Sequence, residues 1–440
     1  MFVLALPAFA QYAGPAILSR GEAPAAMTAP TVNFAFSLSL TANYTNGMEG
    51  VVTNTSGQLV TSASYGGGVT LGASGAHSWK HTRIGLNYGG SFYDYATASY
   101  YAGISQGLSL SLTHQFSRHI VFSAGESAGW FTMFPPATVS LNSSVSFDPS
   151  QSNIPTTDFY DNRTIYSSTQ ASLTLQASTR LSFSVGGGYF TDLRRSSGLY
   201  SATGESASGD VQYRVSRRAT VGGTYGFSHY AYSGSLGGAF INSASLSLSM
   251  RFSRMTELSV YGGASRVSSS FEQLVPIDPA ILAILCPANL VAVCPLTAGT
   301  VVNNNIFWAP NFAARFSRSF HRGVAYLSAG ESITPGNGLF LTSRAESATA
   351  GYGYSGLRKW SLGMGATYTR ALSLGNIQGG YGQVSGSFSL SRQLVGRLSF
   401  VSSFSATHYD SNSFTAYNRL IYGASVGLGF SSRNIPVRFF

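Results

Sequence analysis

Charge is scarce in this chain. Asp, Glu, Lys and Arg together make up 10% of its 440 residues, where a soluble globular domain carries roughly 25%. Long apolar runs are missing too: nothing approaches the roughly 18 consecutive apolar residues of a membrane-spanning helix. Lysine is almost absent, with only Lys80 and Lys359. The other basic residues are arginines that stand singly near short turns. The net charge of +10 therefore does not describe a nucleic-acid-binding face, which needs clustered cations with interleaved aromatics. Cysteine is limited to Cys286 and Cys294. In an exported chain an even count favours a disulfide, with two unpaired thiols as the alternative. Without a nearby histidine the pair does not make a zinc site.

What is abundant is Gly (50), Phe (29), Tyr (25) and serine, giving a mean hydropathy of +0.10. The N-terminus MFVLALPAFAQ ends an apolar run in Ala8-Phe9-Ala10, an A-x-A cleavage signal that marks residues 1–10 as the remnant of a signal peptide. The positively charged start of such a peptide is missing. Residues 11–31 are rich in Ala and Pro and read as a flexible periplasmic lead-in.

From residue 32 the pattern changes to period two. Val32, Phe34, Phe36, Leu38, Leu40, Ala42 and Tyr44 alternate with mostly polar neighbours. That is a strand with one dry face. The pattern recurs through Leu173–Ala177, Leu181–Tyr189, Leu246–Phe252 and Trp360–Tyr368 to Leu420–Phe430. Short turns recur with it: FSR at 116–118, 252–254 and 316–318, and related Arg-bearing turns near 178, 216, 356, 391 and 431. Their commonest separation is one hairpin of two long strands. The pentapeptide SAGES occurs at 123–127 and again at 328–332. The count comes to about eighteen strands, with sixteen the lower alternative, from 32–44 through 256–267 and 304–316 to 417–430. Short basic turns follow the even strands from the fourth on. Longer loops follow the odd ones and collect Asp94, Asp148, Asp158, Asp161, Asp192, Glu272, Asp278 and Asp410. The longest loops are expected at 133–163 and 268–303.

Strands this numerous and this weakly charged would expose too much apolar area in water and would leave open edges. In lipid both problems vanish if the sheet closes, because every backbone group then finds a partner. Aromatics near strand ends, among them Tyr44, Phe92, Trp130, Phe252, Phe316, Trp360 and Phe430, suit two interfacial girdles. From 32 to 430 the chain resembles the outer-membrane β-barrel superfamily of Gram-negative envelopes, porin-like in size. The resemblance implies an all-β, transmembrane, antiparallel up-and-down barrel, integral to the outer membrane. In that superfamily the last strand ends in Phe with apolar residues at alternate positions before it. Phe430, preceded by Leu428, Val426, Ala424 and Tyr422, fits better than Phe440. Residues 431–440 are then a tail, or IPVRFF forms an extra short strand.

Chemistry is hard to find. Seven histidines (77, 81, 114, 119, 229, 321 and 408) sit in turns or near strand ends. None has a carboxylate and a serine at telling spacing, so no catalysis, metal or cofactor is expected. The triplets GGG at 66–68 and 186–188 lie inside strands rather than at phosphate-binding turns. Glu126 and Glu331 fall on the lipid-facing parity, which is costly for a carboxylate. A bulge at Gly125 or Gly330 is expected to turn each inward, unless both lie above the lipid band. Arg83, Arg214, Arg251, Arg315, Arg397 and Arg419 share the polar parity and are expected to form a basic ring at the periplasmic mouth. The alternative is rim arginines neutralised by Asp210, Glu257 and water. The apolar stretch ILAILCPANLVAVCPL within 271–303 is expected to fold into the lumen as a constriction, compacted by a Cys286–Cys294 link, or else to meet a partner. The function expected is passive diffusion of small hydrophilic solutes with weak anion preference. The alternative is a structural or binding barrel that recognises a surface ligand or serves polysaccharide export. Expected partners are outer-membrane lipid, the barrel-assembly machinery, small hydrophilic solutes and a possible second copy.

Overall fold

The structure is a computed structural model describing residues 32–47, 63–96, 103–131, 163–195, 199–233, 237–276, 298–336, 338, 341–354, 356–374, 379–411, 418–432 and 435–437. The expected leader 1–10, the lead-in 11–31, and Cys286 and Cys294 lie outside these residues.

Among the described residues, nineteen strands form one antiparallel sheet. Eighteen of them make the wall, from β1 (Val32–Asn46) to β18 (Arg419–Ser431). Each pairs with its sequence neighbour, and β1 closes the ring on β18 through ten residue pairs, Ser37↔Ser431 to Asn46↔Tyr422. The three-residue β19 (Ile435–Val437) continues the line of β18 along β1, pairing Val437 with Val32 and Ile435 with Phe34. One extra residue separates the two registers, a bulge at the C-terminal end of the wall. The alternative of an extra short strand therefore describes the C-terminus better than a plain tail.

The alternation of the sequence fixes the two faces. Leu38 pairs with Phe430 on one side and Leu71 on the other, and Leu40 with Leu428 and Val69. All are on the exterior; Leu40 is 54% exposed and Leu71 53%. The intervening Ser39, Thr41 and Asn43 face inward. There Ser39 and Thr70 share a hydroxyl–hydroxyl hydrogen bond of 2.5 Å, as do Ser361 with Ser391 (2.5 Å) and Ser403 with Ser425 (2.6 Å). Closure gives every strand of the wall a neighbour on both sides, although β12 pairs with β13 only over Phe312–Phe320, and it leaves an apolar outside around a hydroxyl-rich inside, which is the geometry of a membrane-spanning barrel.

The two rims differ. Turns at 79–81, 118–119, 177–180, 215–218, 254–255, 321–322, 355–359 and 396–397 join the strands at one end, here the turn rim. Longer connections join them at the other, the loop rim. Two strands outrun their expected ends: β11 is Thr256–Pro276 and β12 is Ala298–Phe320. The expected loop 268–303 is therefore strand over 268–276 and 298–303. Its apolar–polar alternation fades because this hairpin rises past the lipid-facing belt, where an outward Ser268 or Asn304 costs nothing.

Candidate functional site

The lumen could carry a solute, and its wall is layered by depth. Near the turn rim, β3 (Thr82–Tyr95) supplies Arg83, β8 (Ala202–Arg214) supplies Asp210 and Arg214, β10 (Gly237–Ser253) supplies Arg251, β11 supplies Glu257 and β12 supplies Arg315. All share the inward parity. Arg251 lies 4.0 Å from Glu257, with both side chains about half exposed. Such an exposed pair leaves the guanidinium's field largely in place. Asp210 accepts hydrogen bonds from Gln212 Nε2 at 2.9 Å and Thr224 Oγ1 at 3.1 Å. Two members of the expected ring are elsewhere. Arg397 lies in the 396–397 turn itself. Arg419 opens β18 at the loop rim, is 5% exposed and sits 5.8 Å over the Tyr409 ring. The parity that linked the six arginines says which face a residue takes and nothing about its depth.

At mid-depth the inward positions are mostly Ser, Thr, Gly, Ala, Asn and Gln, with Tyr261 on β11 among them. Among the described strand residues no charge faces the lumen between the lower layer and the loop rim.

At the loop rim the lumen narrows. In the connection between β13 (Gly323–Thr334) and β14 (Ser343–Tyr354), the described residues 338, 341 and 342 lie against the inner wall as a strap. Its residues Leu341 and Thr342 are almost fully buried. Leu341 packs with Tyr232, Phe271 and Ala202, flanked by Phe190, Tyr200 and Tyr230. Thr342 Oγ1 and Tyr232 Oη are 2.9 Å apart, and Tyr200 N donates to the Gly338 carbonyl at 3.0 Å. These contacts span from β13 back to β7 (Leu181–Arg194) and β9 (Ala219–Tyr232), five or so strands around the wall. Beside the strap, Arg194 Nη2 and Asp192 Oδ2 form a 2.5 Å ion pair, both side chains under 10% exposed. Asp192, expected in an outer loop, lies on β7 and points into the barrel. The expectation that 271–303 folds into the lumen falls largely outside the described residues. Of that stretch, 271–276 and 298–303 are strand, and 277–297 lies outside the described residues.

The expectation of inward carboxylates is corrected. Glu126 on β5 (Ile120–Phe131) pairs with Leu110 and Thr169 in an unbroken register, so it keeps the face of Leu110. Ser167 Oγ donates to Glu126 Oε1 at 2.8 Å, and Thr169 Oγ1 donates to Oε2. Glu331 pairs with Phe312 and Glu346, also without a shift. Its Oε1 lies 2.7 Å from Arg344 Nε, and Arg344 Nη2 reaches Glu346 Oε1 at 3.0 Å. Both carboxylates stay on the outer wall. Partners on neighbouring strands satisfy them there, so no bulge is needed. The alternation missed only the partners.

No family model matches the sequence, and no curated protein matches it. Similar solved structures exist. OccK2 (OpdF) of Pseudomonas aeruginosa in complex with glucuronate has 11% identity and a TM-score of 0.42, over 92% of this chain and 98% of that one. OccAB4 of Acinetobacter baumannii has 12% identity and a TM-score of 0.41, over 91% and 98%. The outer membrane protein opdK of Pseudomonas aeruginosa has 14% identity and a TM-score of 0.42, over 91% and 98%. The fold itself is a closed eighteen-stranded antiparallel β-barrel with an apolar exterior, the architecture that membrane-spanning barrels share.

Proposed function

We propose that the protein is a porin-like channel through which small hydrophilic solutes diffuse passively across the outer membrane. The observation that carries this reading is the uncharged, hydroxyl-rich inner wall at mid-depth. A barrel of this size leaves an aqueous path unless loops fill it. A wall of Ser and Thr offers solutes exchangeable hydrogen bonds and no deep well. The strap sets the size limit. The selectivity comes from the lower layer, where Arg83, Arg214, Arg251 and Arg315 face Asp210 and Glu257. The excess of positive charge biases the path weakly towards anions. In this reading the loop rim faces outwards and the turn rim the periplasm. Insertion is the work of the barrel-assembly machinery, and a homo-oligomer is compatible with the wall.

Planar-bilayer recording of the refolded chain tests the proposal. Open steps of porin size are expected, with a reversal potential in a salt gradient that reports anion preference. Neutralising Arg83, Arg214 and Arg315 to Gln should bring that potential towards zero. Cation preference in the parent protein would reject the charge filter. A barrel that never opens would favour the second reading, a surface-ligand binder closed by its strap, for which the buried Leu341–Tyr232–Phe271 packing speaks.

A further inference from the structure

We infer that the turn rim is an annular binding surface for the anionic phospholipid headgroups of the leaflet that surrounds it. This inference is independent of whether the lumen conducts.

Each of the eight turns carries at least one exposed Arg or Lys and none carries Asp or Glu. Lys80, Arg118, Arg180, Arg254, Arg322 and Arg397 each belong to a different turn. The cations therefore repeat about once per hairpin around the whole circumference. Just inside the rim, two more guanidinium groups on the outer wall lie against rings of the girdle. Arg318 is 5.2 Å over Phe320, and Arg392 is 4.9 Å over Trp360. That places a charge and an aromatic plane together where acyl chains give way to headgroups. At the loop rim the outward parity is mixed: Asp94, Glu205, Glu346 and Asp410 share it with Arg266, Arg344 and Arg370, and Arg344 pairs with Glu346 at 3.0 Å.

The distribution selects the partner. A protein docking from one side would use a patch, and a solute drawn to the pore would be served by cations turned inward. A ring that encircles the wall, with members stacked on lipid-facing aromatics, fits a partner that also surrounds the wall. That partner is a leaflet bearing negative headgroups.

The four tryptophans allow a direct test. Trp79 and Trp360 lie at the turn rim, and Trp130 and Trp308 towards the loop rim. Two full-length variants, W130F/W308F and W79F/W360F, each keep one pair. They are refolded into vesicles in which phosphatidylglycerol or phosphatidylcholine carries brominated chains, and tryptophan quenching is read. The Trp79/Trp360 pair is expected to report phosphatidylglycerol bound at least about two-fold over phosphatidylcholine. That preference should fade in about 1 M salt, where the Debye length is only about 3 Å, and in R118Q/R180Q/R254Q/R322Q. The Trp130/Trp308 pair should show none. Equal quenching by both lipids at the turn rim overturns the inference. So does a preference that is the same at both rims or that survives high salt. If the four-arginine variant fails to insert, the salt series and the comparison of the two tryptophan pairs still decide.

Discussion

A carboxylate on a lipid-facing wall costs free energy in proportion to how poorly it is held. Glu126 is held by hydroxyls from Ser167 and Thr169, which soften that cost without removing it. Glu126→Leu should therefore stabilise the barrel by about 1 kcal/mol, measured as a higher urea midpoint for unfolding from vesicles. A residue that faced the lumen would give no such gain. The opposite sign is expected at Arg194. It shares a buried ion pair with Asp192, and Arg194→Leu removes that guanidinium from the buried carboxylate. A loss of about 3 kcal/mol is expected in the same assay. Period-two counting placed both Glu126 and Glu331 on the outward face. A bare carboxylate on that face is costly, which is what makes a bulge the expectation from sequence. The partners that remove the difficulty are 41 residues away for Ser167 and 13 for Arg344. They become neighbours only through strand pairing, so no local pattern announces them.

Among the elements, the strands were legible and the strap was not. A strand announces itself by alternation because one face meets lipid and the other water. The 335–342 connection has no alternation, and what directs it inward is contact with residues such as Tyr232, 110 positions before Thr342. Gly338 is the tight point of the strap. Its φ is +87°, and a Cβ there would meet Arg194 Cδ at 2.6 Å. Gly338→Val should cost about 1–3 kcal/mol in strain and displace the strap. Single-channel conductance should rise while the salt-gradient reversal potential keeps its sign, because the lower arginines are untouched. An unchanged conductance would mean that the strap does not limit the path. The overlong β11–β12 hairpin teaches the converse lesson. Once a hairpin leaves the lipid belt its outer face no longer has to be apolar, and the signal by which strands are recognised disappears while the pairing continues.

At the scale of the whole molecule, stability depends on closure. The seam joins β1 to β18 at opposite ends of the chain. At Gly427 the approach is so close that a Cβ would lie 2.1 Å from the Leu40 carbonyl oxygen. Gly427→Val should block the seam. The expected readout is loss of the compact, heat-sensitive form on a denaturing gel, whereas a valine at Gly209, which has open space around its Cβ position, should leave that form intact. An open sheet would expose two edges to hydrocarbon, and each unpaired backbone group there costs several kcal/mol, so closure is close to all-or-none. The sequence by itself determined the period of two, the number of strands and the scarcity of charge on either face, whereas the tripeptides expected as turns at 316–318 and 391–393 are strand and the chain reverses just beyond them. From these follow a closed barrel and a membrane, because each is a local demand made by solvent on successive side chains. Only the tertiary structure decided the depth of each inward arginine, which polar groups rescue the outward carboxylates, and what crosses the lumen. Those depend on strand stagger and on neighbours brought together by ring closure, and neither is written in any single segment.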